Sequence, residues 1–331
     1  MIAIQVKIYI WVFVRIVVTG GEQMERWEKI NAIQKMQDFI EENTHEPITL
    51  YDLSKCANYS PFYCARIFKE LVGKSPFDYI RTLRLTRAAL KLRDEKVKVI
   101  DVALDFVFNS HEGFTRAFSK EFGITPYKYS KQTPPIYLFM PPSIREHYRY
   151  FLKGVNQVEK KHATNTVFVQ VIERPERKLI LKRGKDAADY FEYCEEVGCD
   201  IWGLLCSVKE ALYEPIGMWL PDTLRTPGTS TYAQGVEVPA GYAGVLPEGF
   251  DIITLPACKM MVFQGQPFED EHFDEAISDL WEVMKTYNPE LYGFQWADED
   301  APRFQLEPQG YRGYIEARPV RQVNSIEQTV Y

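Results

Sequence analysis

Ser60-Pro61-Phe62-Tyr63-Cys64-Ala65-Arg66-Ile67-Phe68-Lys69 leads into Gly73-Lys74-Ser75-Pro76-Phe77-Asp78-Tyr79, and 50 residues later the pattern returns. Ser60, Arg66, Phe68, Gly73 and Pro76 correspond to Ser110, Arg116, Phe118, Gly123 and Pro126, and Gly123-Ile124-Thr125-Pro126-Tyr127-Lys128-Tyr129 repeats the second string. In the first copy, Ser60 is placed to cap a helix, Pro61 suits the first helical position, and Gly73 suits a left-handed C-terminal stop. Upstream, Thr49 with Asp52 three residues on reads as a variant of the capping box. It opens a short helix through Leu50, Leu53 and Ala57, and Asn58-Tyr59-Ser60-Pro61 is the turn. Two helices across a short turn make a helix-turn-helix. Asp52-Leu53 recurs as Asp101-Val102 at a spacing of 49, so the second unit has one extra residue in its turn.

Two further helices frame the pair. Trp27, Ile30, Ile33, Met36, Phe39 and Ile40 recur at three- and four-residue steps, the mark of an amphipathic helix. Pro76 to Arg93 is apolar-periodic, carries Arg81, Arg84, Arg87, Lys91 and Arg93, and reads as a stiff spacer between the units. Two second helices on one face can read major grooves one turn apart, about 34 Å, without dimerisation.

Residues 26–131 resemble the AraC/XylS-type DNA-binding domain, on Ile48–Ala57, the two strings above, and Phe114-Thr115-Arg116-Ala117-Phe118-Ser119-Lys120-Glu121-Phe122-Gly123-Ile124-Thr125-Pro126. The resemblance implies an all-α double helix-turn-helix over 24–131 with double-stranded DNA as partner. It places Phe62, Ala65 and Arg66 in the first reading helix, and His111, Glu112, Thr115 and Arg116 in the second, against bases. Arginine reads guanine with two hydrogen bonds, and glutamate accepts from cytosine. Lys69, Lys74, Lys120 and Lys128 suit phosphates, which position a protein without specifying sequence; taken singly, each lysine also reads as a solvated surface charge. One departure stands out. The family has glycine in the second turn where this chain has Val107, and a β-branched residue resists φ > 0. Either that turn differs or the second unit is less rigid.

The ends of this module read differently. Residues 1–23 form an apolar, β-branched extension. Ile2 to Val18 is too short for a membrane-spanning helix and is interrupted by Lys7 and Arg15; Thr19-Gly20-Gly21 is a poor cleavage site. The reading favoured is a mis-called start with Met24 opening the functional chain, over a membrane-contacting tail. Residues 132–164, with Pro134-Pro135 and Pro141-Pro142, read as a linker.

Residues 165–331 read as an α+β module. Strands are expected at 166–172, 178–183, 216–220, 230–238, 250–255, 259–264 and 311–320, with helices over 186–212 and 269–287. Ile172 to Gly184 aligns without gaps on Ile253 to Gly265 at an offset of 81. The module therefore reads as two tandem β-β-α-β units in a pseudo-twofold arrangement, with a groove between helices and sheet. Ser230-Thr231-Tyr232, Gly235-Val236-Glu237-Val238, Glu290-Leu291-Tyr292 and Ile315-Glu316-Ala317-Arg318-Pro319-Val320 resemble GyrI-like small-molecule-binding domains. That resemblance implies an aromatic pocket with one acid, suited to an apolar, often cationic effector. Glu290 is the candidate acid, with Trp219, Tyr232, Tyr292 and Trp296 as walls. Trp202 and Trp281, in mid-helix, read as core. Cys199 and Cys206 read as buried on one helix face.

Composition is consistent with two modules and one division of labour. The 331 residues carry a net charge of −7, distributed as +1 over 1–23, +4 over 24–150 and −12 over 151–331. A mildly basic half suits phosphate; the acidic half has no such need. No phosphate loop, nucleophile elbow or paired zinc motif is present, so no cofactor, metal or catalytic residue is assigned. The expectation is a cytoplasmic, ligand-responsive transcriptional regulator, not an enzyme, whose partners are DNA, a small molecule and, as a further candidate, RNA polymerase, with no stable membrane association. The alternatives are a C-terminal small-molecule hydrolase using Glu290 and a tyrosine, or a protein-interaction module.

Overall fold

The computed structural model describes residues 20–141, 144, 166–269 and 272–323. The chain divides into two compact units, Met1–Glu159 and Lys160–Tyr331. The extension up to residue 19 and the linker from 142, save residue 144, lie outside the described residues.

The first unit is helical: α1 (Gly20–Glu42), α2 (Leu50–Ala57), α3 (Pro61–Val72), α4 (Pro76–Asp94), α5 (Val99–Asp105), α6 (His111–Phe122) and α7 (Pro126–Gln132). Side-chain oxygens close the helix starts. Thr49 and Asp52 form a reciprocal capping box, and Ser60, Ser75, Ser110 and Thr125 each accept a backbone N–H one turn on. Gly73 and Gly123 end α3 and α6 at φ 75 and 69, a conformation glycine adopts without a steric penalty. Ile30, Ile33, Met36 and Ile40 of α1 pack on Leu53, Ile67, Phe68 and Tyr79. Burying each such side chain contributes about 1.5–3 kcal/mol. The second half closes on an aromatic ladder, Phe108–Phe114–Phe118–Tyr129, with centroids 5.0, 5.6 and 5.7 Å apart.

The arginines of α4 tie the unit together. Arg84 Nε donates to the Thr44 carbonyl at 2.9 Å and Arg87 to the Glu41 carbonyl at 2.8 Å. Cations on the free carbonyls at the end of α1 complement its dipole. The turn at Val107 keeps the geometry of the first one. Asn58 has φ 57, and Val107, 49 residues on, has φ 62. Asparagine tolerates that region; a β-branched side chain is strained there.

The second unit is an antiparallel-sheet α+β fold: β1 (Phe168–Arg174), β2 (Arg177–Arg183), α8 (Tyr190–Glu196), α9 (Ile201–Ser207), β3 (Ile216–Trp219), β4 (Tyr232–Pro239), β5 (Asp251–Leu255), β6 (Cys258–Gln264), α10 (Phe273–Thr286), β7 (Phe294–Trp296), β8 (Arg303–Gln305) and β9 (Ile315–Gln322). The strand order is β1-β6-β9-β8-β3-β4-β2-β5, with β7 pairing β9. Two-residue links, at 175–176 and 256–257, join strands from opposite ends of this order. The sheet therefore curls until its ends meet, enclosing Leu179, Leu181, Met218, Ala233, Met260, Val262, Phe304 and Ala317. On the outer face, β2 and β4 pack against Ile201, Leu204 and Leu205 of α9, and β6 and β9 against Leu280 and Met284 of α10. Arg177, 1% exposed, fastens the two links: its Nη1 donates to the carbonyls of Pro175 and Pro256, both at 3.1 Å, and its Nε to Glu237 at 2.6 Å.

Several expectations are corrected. The helix expected over 186–212 is two short helices, broken around Gly198 at φ 109. Cys199 falls in that break and is exposed, while Cys206 is half-buried on α9. Two short strands, β7 and β8, went unread, so the second unit closes with more than one strand. Residues 310–312 form a 3-10 turn ahead of β9 instead of its first residues.

Candidate functional site

The two reading helices carry matched surfaces. On α3, Phe62 is 81% exposed, Arg66 is exposed and Ala65 half-buried. Arg66 lies over the Tyr63 ring, 4.9 Å from its centroid. Cys64, Ile67, Phe68 and Leu71 face the core. On α6, His111, Glu112 and Arg116 are exposed and Phe114 and Phe118 are buried. Thr115 differs. It is half-buried, and its Oγ1 is buried without a hydrogen-bond partner. Lys69, Lys120 and Lys128 are exposed. Lys74 is half-buried, with its Nζ 5.5 Å from the Phe139 ring centroid.

In the second unit, the residues expected to form one pocket fall in two places. Trp219 and Tyr232 meet edge to face, 5.3 Å apart. Tyr292 stacks on Tyr287 at 5.7 Å, and Trp296 lies 6.5 Å from Tyr287 and 6.3 Å from Phe263. Tyr292, Tyr287, Phe294, Val169, Val171 and Met261 line an open groove of about 670 Å³. Glu290 is exposed on the 3-10 turn Pro289–Tyr292.

The acid that sits among aromatics is Glu316, on β9, with no exposed surface. Trp281 Nε1 donates to its Oε2 at 2.8 Å and the Tyr314 hydroxyl at 3.0 Å. Arg303 pairs with Oε1 and lies over the Trp219 ring at 4.6 Å. Gln305 joins the two tyrosines: its Nε2 donates to the Tyr232 hydroxyl at 3.2 Å, and its Oε1 lies 2.9 Å from the Tyr314 hydroxyl, whose single proton is shared between Gln305 and Glu316. Burial and the Glu316 charge push the Tyr314 hydroxyl well above the usual tyrosine range, so it stays a donor. Gly217 leaves room for this arrangement, since a Cβ there would lie 2.0 Å from the Tyr232 hydroxyl oxygen. The site thus unites Trp219 and Tyr232 with Trp281, Arg303, Gln305, Tyr314 and Glu316. Trp281 is 44% exposed and hydrogen-bonded to the acid, not buried core. Sequence reasoning missed Glu316, whose enclosure comes from strands distant in sequence. Among the described residues, no cluster of three or more His, Cys, Asp or Glu could hold a metal ion, and no helix is long and apolar enough to cross a membrane.

The capped, repeated helix pairs with outward arginines define a double helix-turn-helix DNA-binding domain. A family model described as a helix-turn-helix domain matches residues 53–132. The chain is 38% identical over 110 residues to the transposon Tn10 TetD protein of Escherichia coli, covering 33% of this chain and 80% of that protein. It is 33% identical over 98 residues to the multiple antibiotic resistance protein MarA of Salmonella typhimurium, covering 30% of this chain and 77% of that protein. The chain belongs to the AraC family of helix-turn-helix transcriptional regulators. It spans only about a third of the length of the longer relatives it matches. One solved structure, of SAV2435 bound to tetraphenylphosphonium, is 15% identical at a TM-score of 0.33, covering 46% of this chain and 94% of that one.

Proposed function

We propose that this AraC-family protein is a ligand-responsive regulator: residues 24–131 read DNA with both helices, and residues 165–331 bind a small apolar cation that alters DNA engagement. The observation that carries the second half is Glu316, a fully buried carboxylate among Trp219, Trp281, Tyr232 and Tyr314. A carboxylate beside aromatic faces favours an organic cation. Arg303 occupies that position now through a side chain 38% exposed. An effector cation that displaces Arg303 would take over both its pairing to Glu316 and its stacking on Trp219.

The registers support a pseudo-twofold module of the GyrI-like kind. Moving each pair by 81 residues turns Ile172↔Met260 into the observed Leu179↔Ile253. A shift of 81 on β2 and 82 on β4 turns Lys178↔Val238 into Lys259↔Val320. Exchanging β1 with β5, β2 with β6, β3 with β8 and β4 with β9 leaves the strand order unchanged. The matched relatives include transcriptional regulators, which supports a regulator over the hydrolase alternative. Such a regulator acts in the cytoplasm, where the chromosome lies; RNA polymerase is a natural further partner.

Genome-wide footprinting tests the reading, followed by binding of the purified full chain to a recovered site with and without decyltrimethylammonium. We expect discrete sites and a change in DNA affinity or footprint on adding the cation. Sites without sequence preference overturn the DNA half; a footprint and affinity indifferent to the cation, despite its binding, overturn the coupling.

A further inference from the structure

Gln234 is a buried polar group of the second unit that the site above does not use. It lies on β4 with no exposed surface. Its carboxamide sits beside the Tyr232 hydroxyl, in a side-chain hydrogen-bonding contact that acts to lower the tyrosine's pKa. Neither Nε2 nor Oε1 makes a well-formed hydrogen bond, so the Tyr232 contact leaves most of the carboxamide's bonding capacity unmet. Burying a carboxamide without partners is unfavourable, and such a group calls for a missing partner. A leucine of similar volume would fill the space with no desolvation penalty.

Its position says where that partner belongs. Lys182↔Gln234 in one half becomes Phe263↔Glu316 in the other, by the same shifts of 81 and 82. Gln234 is therefore the counterpart of Glu316. The two share one row across the sheet, because Gln234 pairs with Gly217, Gly217 with Gln305, and Gln305 with Glu316. Directly opposed residues in antiparallel strands project to one face. Both side chains thus lie on the helix-bearing face, three strand spacings apart, or about 14 Å along the sheet. Between them Gly217 projects no side chain, and the two equivalent tyrosines, Tyr232 and Tyr314, converge on Gln305.

We infer that Gln234 is a second anchor of the effector site, which selects an elongated molecule with a cation at Glu316 and a neutral hydrogen-bonding end, a hydroxyl or an amide, at Gln234. The inference rests on the proposed role of Glu316. A carboxamide both donates and accepts, so it suits a hydroxyl or amide and gains little from a second cation. The symmetric arrangement makes a specific prediction: Gln234→Glu would create a second acid and favour a molecule with two cationic ends.

The test is calorimetric titration of the full chain with three probes: decyltrimethylammonium, its (10-hydroxydecyl) analogue, and decamethonium, which carries an ammonium at both ends. In the wild-type chain we expect the hydroxyl analogue to bind about tenfold more tightly than the plain monocation. Gln234→Leu should erase that preference and keep the plain monocation's affinity, which also shows that the variant is folded. Gln234→Glu should turn the preference to decamethonium by about tenfold or more. If the wild type and Gln234→Leu bind both monocations alike, Gln234 contacts no ligand, a buried water is its partner, and the inference fails while the Glu316 reading stands. If wild type binds none of the probes, or Glu316→Gln binds them unchanged, the Glu316 reading itself fails and takes the inference with it.

Discussion

Arg66 and Arg116 stand at the same place in two copies of one unit, outward on helices whose other faces are buried. If both read guanine, replacing either with alanine should relax sequence preference by about 1–3 kcal/mol, measured as the ratio of affinities for specific and scrambled duplexes. An unchanged ratio for either variant would show that this arginine reads no base. Val107 offers a test on stability. At φ 62 its β-branched side chain costs about 1–2 kcal/mol, so Val107→Asn, matching Asn58, should stabilise the chain by about 1 kcal/mol in denaturant unfolding. Glu237 is buried between Arg174 at 3.2 Å and Arg177 at 2.6 Å. Glu237→Gln leaves two buried guanidiniums without a countercharge, and a loss of about 3–5 kcal/mol is expected.

Residue patterns made some of this legible. The capping serines, the glycine stops and the left-handed strain at position 107 follow from side-chain chemistry one turn in either direction. Glu316 did not, because an isolated glutamate in a strand carries no local sign of burial. Only the pairing of β9 with β6 and β8, residues distant in sequence, encloses it. Glu290, beside Tyr292, had the clearer local pattern, but it lies on an exposed 3-10 turn.

At the scale of elements, the helices were legible and the short strands were not. Three- and four-residue periodicity marks α1 and α4, capping and stop residues mark α2 and α3, and the internal repeat carries the pattern over to α5 and α6. β7 and β8 span three residues each, too few for an alternation to register, and their partners lie across the sheet. The helix expected over 186–212 failed at Gly198, where the backbone turns left-handed between two otherwise apolar runs. The helix starts also make a prediction about acid. The Thr49 hydroxyl and N–H hold the Asp52 carboxyl below its ordinary value, and the Ser75 hydroxyl, with Arg81, does the same for Asp78. A carboxyl with a depressed folded-state pKa adds stability above its unfolded value and loses it as pH falls. The helical unit should therefore weaken as pH drops below about 4. Asp52→Asn and Asp78→Asn together should flatten that part of the profile in thermal melts at stepped pH.

For the whole molecule, the charge split has a structural counterpart. The unit that carries the two reading helices holds the mildly basic half, and the acidic surplus belongs to the unit with the buried carboxylate. Net charge alone, at −7, would have argued against nucleic acid. The offset of 81 found in the sequence also governs the strand registers, so a repeat with few identities still marked the sheet's plan. What it could not mark was which member of the equivalent pair Gln234 and Glu316 carries a charge.

The most direct test of the account is titration of the purified full chain with decyltrimethylammonium, comparing wild type with Glu316→Gln, with DNA binding measured on the same samples. Wild type should bind the cation saturably, the variant at least tenfold more weakly, and the ligand-free variant should keep its affinity for the DNA site. Equal affinity of both chains for the cation would contradict the Glu316 reading.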